Sequence, residues 1–231
     1  SEEKATGEEN TGTGKGEGRM GRSEAGGAMG KQKRVVRPKE MVKRRFKKQA
    51  DWRAWLEKNH ADPDGLWLHF AKKGSGVVTV TYDEALETAL CFGWIDGQLR
   101  THDAKTFVRK FTPRRARSIW SKVNRAKAER LIESGHMKPP GLQAIERARE
   151  GGEWDSAYDS SRTAGVSPEF QRALDKSKRA AAFFAKLNSA NRYAVLWRIQ
   201  TARSAETRAK RIAELIAMLE KQETFHPWTF K

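Results

Sequence analysis

Large apolar residues are few over the first forty positions and then recur at regular spacings along the rest of the chain. Met41, Val42 and Phe46 predict a short edge strand whose outward positions are basic. Trp52, Trp55 and Leu56, three and four apart, predict a helix over residues 51–60 with Asp51 as its cap. Asp62-Pro63-Asp64-Gly65 reads as a turn, and Leu66, Leu68 and Phe70 alternating with Trp67 and His69 read as a strand. Gly74-Ser75-Gly76 closes it. Thr81-Tyr82-Asp83-Glu84 matches a capping box, opening a helix over residues 82–92 that turns Ala85, Leu86, Ala89, Leu90 and Phe92 toward a core and stops at Gly93. Residues 94–100 and 106–111 predict paired strands around the polar turn His102-Asp103.

From Ser118 the period becomes helical. Helices are expected over residues 121–134 and 139–150, then a loop over 151–166 anchored by Trp154 and Tyr158. Ser167-Pro168-Glu169 supplies a cap, a proline for the first turn and an acid near the positive helix end. Further helices follow over 168–175, 178–187, 189–201 and 204–221, the last with Ile212, Leu215, Ile216 and Leu219 on one stripe. The expected fold class is α+β. A small, mostly antiparallel sheet with helices occupies residues 41–117, and a helical subdomain occupies 118–222, with tails over 1–40 and 223–231 outside.

Composition changes the reading of the N-terminus. Residues 1–30 contain nine of the nineteen glycines in a mainly polar background, too little apolar surface to offset the entropy of ordering, so a disordered tail over 1–40 is expected. Residues 31–48 hold ten cations against Glu40 alone. Lys31, Lys33, Arg34, Arg37, Lys43, Arg44 and Arg45 form a candidate polyanion-binding or nuclear-localisation arm, with a solubilising linker as the plainer alternative. The formal net charge of +17 favours polyanionic partners without choosing among them.

Other features narrow the chemistry. Cys91 is the only cysteine, which rules out an intramolecular disulfide and favours a reducing compartment. Its place on the inward side of a helix makes it a small buried hydrophobe rather than a nucleophile. No stretch approaches the roughly 18–20 apolar residues of a membrane span. A cytoplasmic protein, or a nuclear one in a eukaryote, is expected. The five histidines show no metal-ligand spacing, and no nucleophile elbow, phosphate-binding loop or dinucleotide fingerprint occurs, so no cofactor and no metal are expected. Oligomeric state is not set by the sequence.

The candidate site lies where the sheet-forming pattern meets the helical one. Residues 105–130 carry ten cations against Glu129. Arg114, Arg115 and Arg117, with Trp120, Ser121 and Asn124, form the candidate ligand-binding group. A guanidinium fork holds phosphate or carboxylate through two donors, an indole can stack, and Ser121 can open a helix whose N-terminus attracts anions. The plainer alternative is a solvated basic face with Trp120 in the core. Asp96 either orients an arginine of this group or accepts a proton from a ligand, or else it bonds a turn permitted by Gly97.

Two stretches resemble the YdeI/OmpD-associated, or bacteriocin-protection, family. One runs from Thr81-Tyr82-Asp83-Glu84-Ala85-Leu86 through Gly93-Trp94-Ile95-Asp96-Gly97. The other is Phe111-Thr112-Pro113-Arg114-Arg115, followed by Arg117-Ser118, Trp120-Ser121, Asn124 and Gly135-His136-Met137. With the segments around Trp52 and from Asn191 to Ala213, the resemblance spans roughly residues 41–222. It implies association with a porin and tolerance of bacteriocins or cationic antimicrobial peptides, and it brings no reaction with it. Three functions stay open: a non-enzymatic stress or protection protein that binds an anionic ligand or partner through the arginine-rich face, a nucleic-acid-associated basic protein, and an enzyme acting on a small phosphorylated or carboxylated substrate.

Overall fold

The computed structural model describes residues 41–227. The glycine-rich tail, the arm residues Lys31, Lys33, Arg34 and Arg37, and residues 228–231 lie outside the described residues. Within them the chain is α+β, with a four-stranded sheet ordered β1-β2-β4-β3. Its strands are β1 (Lys43–Arg44), β2 (Leu66–Ala71), β3 (Trp94–Thr101) and β4 (Thr106–Pro113). The β1–β2 pair is parallel; β2–β4 and β3–β4 are antiparallel.

Helices α1 (Gln49–Asn59) and α2 (Tyr82–Cys91) cover one sheet face. Leu66, Leu68 and Phe70 of β2 meet Phe111 of β4 and Trp94 of β3 there, packed against Trp52, Leu56, Ala85 and Ala89. The two buried indoles keep their N–H groups bonded: Trp52 donates to the Ala85 carbonyl at 3.0 Å and Trp94 to the His60 carbonyl at 2.8 Å. That removes the penalty of burying a polar N–H and fixes both rings. Thr81 forms the expected capping box with Glu84, accepting from its N–H while the Glu84 carboxylate accepts from the Thr81 N–H. Cys91 is buried in the same core, where burial pushes its thiol up from the ordinary cysteine range.

One local expectation changes. Asp51 does not cap α1. The helix starts earlier, after Lys48, because the Gln49 side chain reaches across to Thr88 Oγ1 at 3.0 Å and the Glu84 carbonyl at 3.3 Å. Asp51 instead lies in the first turn, where its charge suits the positive end of the helix. Trp67 lies on the opposite sheet face by register and is 7% exposed, with the Arg100 guanidinium 4.5 Å over its ring.

The remaining helices are α3 (Lys122–Glu133), α4 (Pro139–Glu150), α5 (Pro168–Lys176), α6 (Lys178–Lys186), α7 (Ser189–Gln200) and α8 (Ala205–Glu220). Ser121, Ser167, Ser177, Asn188 and Ser204 cap α3, α5, α6, α7 and α8, each side chain accepting a backbone N–H three residues on. Phe170, Phe183, Phe184, Val195, Leu215 and Leu219 build a second core among α5–α8. A third cluster joins Leu86 and Leu90 of α2 to Trp120, Ile145 and Trp154. Gly93 separates α2 from β3 at φ +72°. A Cβ there would meet the Pro140 carbonyl at 2.7 Å, so both the turn and the approach of α4 require glycine.

Candidate functional site

The junction between β4 and α3 places three neighbouring arginines in different settings. Pro113 ends β4, and the Arg114 N–H then bonds the Gly93 carbonyl at 2.9 Å, which fixes where the chain turns. Arg114 points inward and is 7% exposed. Its guanidinium carbon lies 3.5 Å over the Trp120 ring, Nη1 donates to the Ile119 carbonyl at 3.2 Å, and Nε has no partner among the described residues. Burial lowers its pKa to about 10, with Tyr158 and Asp96 opposing the shift, so it remains a cation at neutral pH.

Residues 115–118 form a turn closed by Ser118 N–H to the Arg115 carbonyl at 3.0 Å. Arg117 occupies it at φ 64°, a left-handed conformation that side chains other than glycine, asparagine and aspartate rarely adopt. An external bond holds the turn. Arg203 Nη2 donates to the Arg117 carbonyl at 2.8 Å and also pairs with Glu153 Oε1 at 2.8 Å. Glu153 is buried, so its carboxylate needs that cation, and Arg203 thereby ties the 115–118 turn to the loop before α5.

Arg115 and Arg117 are exposed and line a concave hollow of about 430 Å³ together with Lys110, Thr112, Gln98 and Ser118. No carboxylate lines it. None of Lys110, Arg115 and Arg117 has an ion-pair partner among the described residues. Gln98 reaches it through a bulge in β3: Asp96 pairs with Phe111 and Leu99 with Arg109, so β3 carries one extra residue between those pairs. Three cations, two hydroxyls and an amide therefore converge on one open concavity. Such a donor set neutralises and orients an anion.

The other expected site residues are elsewhere. Trp120 is 2% exposed and packs edge-on against Trp154 with ring centroids 4.9 Å apart, making it the floor beneath Arg114. Ser121 caps α3 by accepting the Asn124 N–H at 3.1 Å, and Asn124 enters this geometry through that backbone group. Asp96 faces the inner side of the sheet. It forms an ion pair with Arg109 and accepts the Tyr82 hydroxyl at 2.9 Å, while the Arg109 guanidinium lies 4.7 Å over the Tyr82 ring. Asp96 therefore orients an arginine, but Arg109 rather than Arg114, and it bonds no turn at Gly97. Burial, and then the Asp96 carboxylate, push the Tyr82 hydroxyl up. Of the basic arm, Lys43 and Arg45 are exposed, and the Arg44 guanidinium lies 5.9 Å over Trp55.

Lys110, Thr112, Gln98 and Ser118 are site residues that the arginine motif does not announce. The period of two places Lys110 and Thr112 on one strand face and so carries a signal for that pair. The bulge that brings in Gln98 leaves none.

Residues 163–222 match the model of the family described as bacteriocin-protection, YdeI or OmpD-associated. Residues 44–144 match a domain of unknown function (DUF8412). The match to the expected family thus covers α5–α8 alone, whereas the Thr81–Gly97 and Phe111–Met137 stretches lie in the part matched by the domain of unknown function. Nothing among curated proteins or solved structures matches the chain. Among the described residues no helix is long and apolar enough to cross a membrane, and no group of three or more His, Cys, Asp or Glu side chains is placed to hold a metal ion.

Proposed function

With residues 163–222 matching the bacteriocin-protection, YdeI or OmpD-associated family, we propose that this chain is a non-enzymatic protection protein that binds an anionic ligand or partner through the hollow at Lys110, Arg115 and Arg117. One observation carries the reading. Three cations share a concave surface of about 430 Å³ in which no carboxylate competes for them. Exposed ion pairs contribute little and are easily exchanged, so cations left without one at a concave site are free to meet phosphate or carboxylate. The strained Arg117 adds support, because a non-glycine side chain in the left-handed region is most at home where it serves a site.

The test is a titration with pyrophosphate and with citrate, read by calorimetry and by the rise in melting temperature that ligand binding produces. Replacing both Arg115 and Arg117 by alanine is expected to weaken binding by ten-fold or more while the fold persists. Binding unchanged in the double variant rules out the hollow as the site.

A further inference from the structure

The sheet has a second face that no helix covers among the described residues. Register places its side chains in cross-strand rows, because directly paired residues share a face. Lys43, Trp67 and Lys110 form one row across β1, β2 and β4. His69, Val108 and Arg100 form the next across β2, β4 and β3. On the other side of the Lys110 row, Thr112 and Ile95 pair and lead directly into the hollow. Lys110 therefore belongs both to the open sheet face and to the hollow, and the two are one continuous cationic surface.

The aromatic arrangement on that surface narrows the partner. The Arg100 guanidinium lies 4.5 Å over the Trp67 ring, so the indole backs a planar cation while Arg100 itself remains exposed. His102, exposed at the β3–β4 turn, meets His69 edge-on with ring centroids 4.5 Å apart. Asp103, the carboxylate at this end, is engaged with the Lys105 and Thr106 N–H groups at 2.7 and 2.6 Å and lies 3.9 Å from His102. A flat guanidinium backed by an indole is a stacking platform for a nucleobase, and lysines flanking it suit phosphates. An acidic peptide has no flat rings for such a platform. A bilayer would call for exposed apolar side chains to insert, whereas Trp67 and Val108 on this face are buried. A duplex shows base edges in its grooves but keeps the ring faces stacked inside, where a surface guanidinium cannot meet them.

We infer that the open sheet face, running from Lys43 across Arg100 and Lys110 into the hollow, binds single-stranded nucleic acid, with Arg100 stacking a base and the lysines and hollow arginines holding phosphates. The inference rests on the anion-binding reading of the hollow for one end of its track. A four-stranded sheet of this size accommodates about two or three stacked bases.

The experiment uses the full chain and labelled 12-nucleotide single strands of RNA and of DNA, read by fluorescence anisotropy at about 50 and 200 mM salt. A duplex of equal length, polyglutamate and phosphatidylglycerol vesicles serve as competitors. The K43E/R100E double variant changes the sheet face outside the hollow. It is expected to lose ten-fold or more in single-strand affinity, with a shallower salt dependence, roughly 0.7 per phosphate contact removed. Its far-UV circular dichroism should match that of the parent, which reports that it is folded. Single-strand affinity unchanged in K43E/R100E overturns the inference, as does equal or tighter binding of duplex, polyglutamate or vesicles. Pyrophosphate binding absent in the parent, with single-strand binding still sensitive to K43E/R100E, would overturn the hollow reading and leave the sheet-face assignment standing.

Discussion

Replacing Arg117 by glycine is expected to make the protein more stable and worse at binding anions. The side chain stands at φ 64°, where an L-residue other than glycine is strained by roughly 1–2 kcal/mol. Glycine removes that strain but loses more backbone freedom on folding, about 0.5–1 kcal/mol, so the net gain is about 0–1.5 kcal/mol. The Arg203 bond to residue 117 is made to the backbone carbonyl and survives the substitution. In a folded region near 190 residues, a gain of about 1 kcal/mol raises the melting temperature by roughly 2–4 °C. The same change removes one of three cations from the hollow. A hydrogen bond to a charged group contributes about 1.5–3 kcal/mol, so pyrophosphate affinity should fall by about ten- to a hundred-fold. Calorimetry on the parent, R117G and R117A measures both quantities. R117A keeps the Cβ and its strain, and should lose binding without gaining stability. A melting temperature that falls in R117G would mean that the arginine side chain supports the fold. Unchanged affinity in both variants would mean that the hollow does not hold the anion.

Two further outcomes follow from the same geometry. Arg203→Gln removes the partner of the buried Glu153 carboxylate and weakens the hold on the Arg117 carbonyl. Arg203 is about half exposed, so the expected loss is about 2 kcal/mol rather than the larger cost of a fully buried pair, measured by denaturant unfolding; adding Glu153→Gln should restore much of it. His69 titrates below the ordinary histidine range because of burial first, then the charges of His102, Arg45 and Lys43, with Asp103 opposing. The unfolded chain therefore takes up a proton on residue 69 at a higher pH than the folded one. The stability contributed by His69 is present above about pH 6.5 and is lost as pH falls toward its folded value. Melting temperatures of the parent and His69→Gln at pH 5.5 and 7.5 should differ more for the parent; an equal change in both would remove His69 as the cause.

The local code of the chain is readable without a structure. Ser121, Ser167 and the Thr81–Glu84 box mark their helix starts because each cap bonds an N–H three residues away, an interaction contained in a four-residue window. The β2 alternation and the hairpin around His102-Asp103 are likewise short-range patterns, and with the helices they are enough to fix the α+β class. The start of α1 escaped because Gln49 finds its partners, Thr88 and the Glu84 carbonyl, on a different helix.

What the sequence by itself determined was that cations, an indole and a helix cap crowd the stretch from Lys110 to Asn124. Only the tertiary structure decided which of them face a ligand. Arg114, Arg115 and Arg117 lie within four residues of a loop, where no period assigns faces. Arg114 went inside because Trp120 and the Ile119 carbonyl, carried on the returning chain, offered it a stacking surface and an acceptor. Arg117 stayed out because Arg203, far along the chain, holds its carbonyl and with it the turn. Asp96 was taken by Arg109 and Tyr82, partners set by strand register and by the packing of α2 on the sheet. Burial and long-range pairing are properties of the closed core, and a chain read residue by residue holds them only after it has folded.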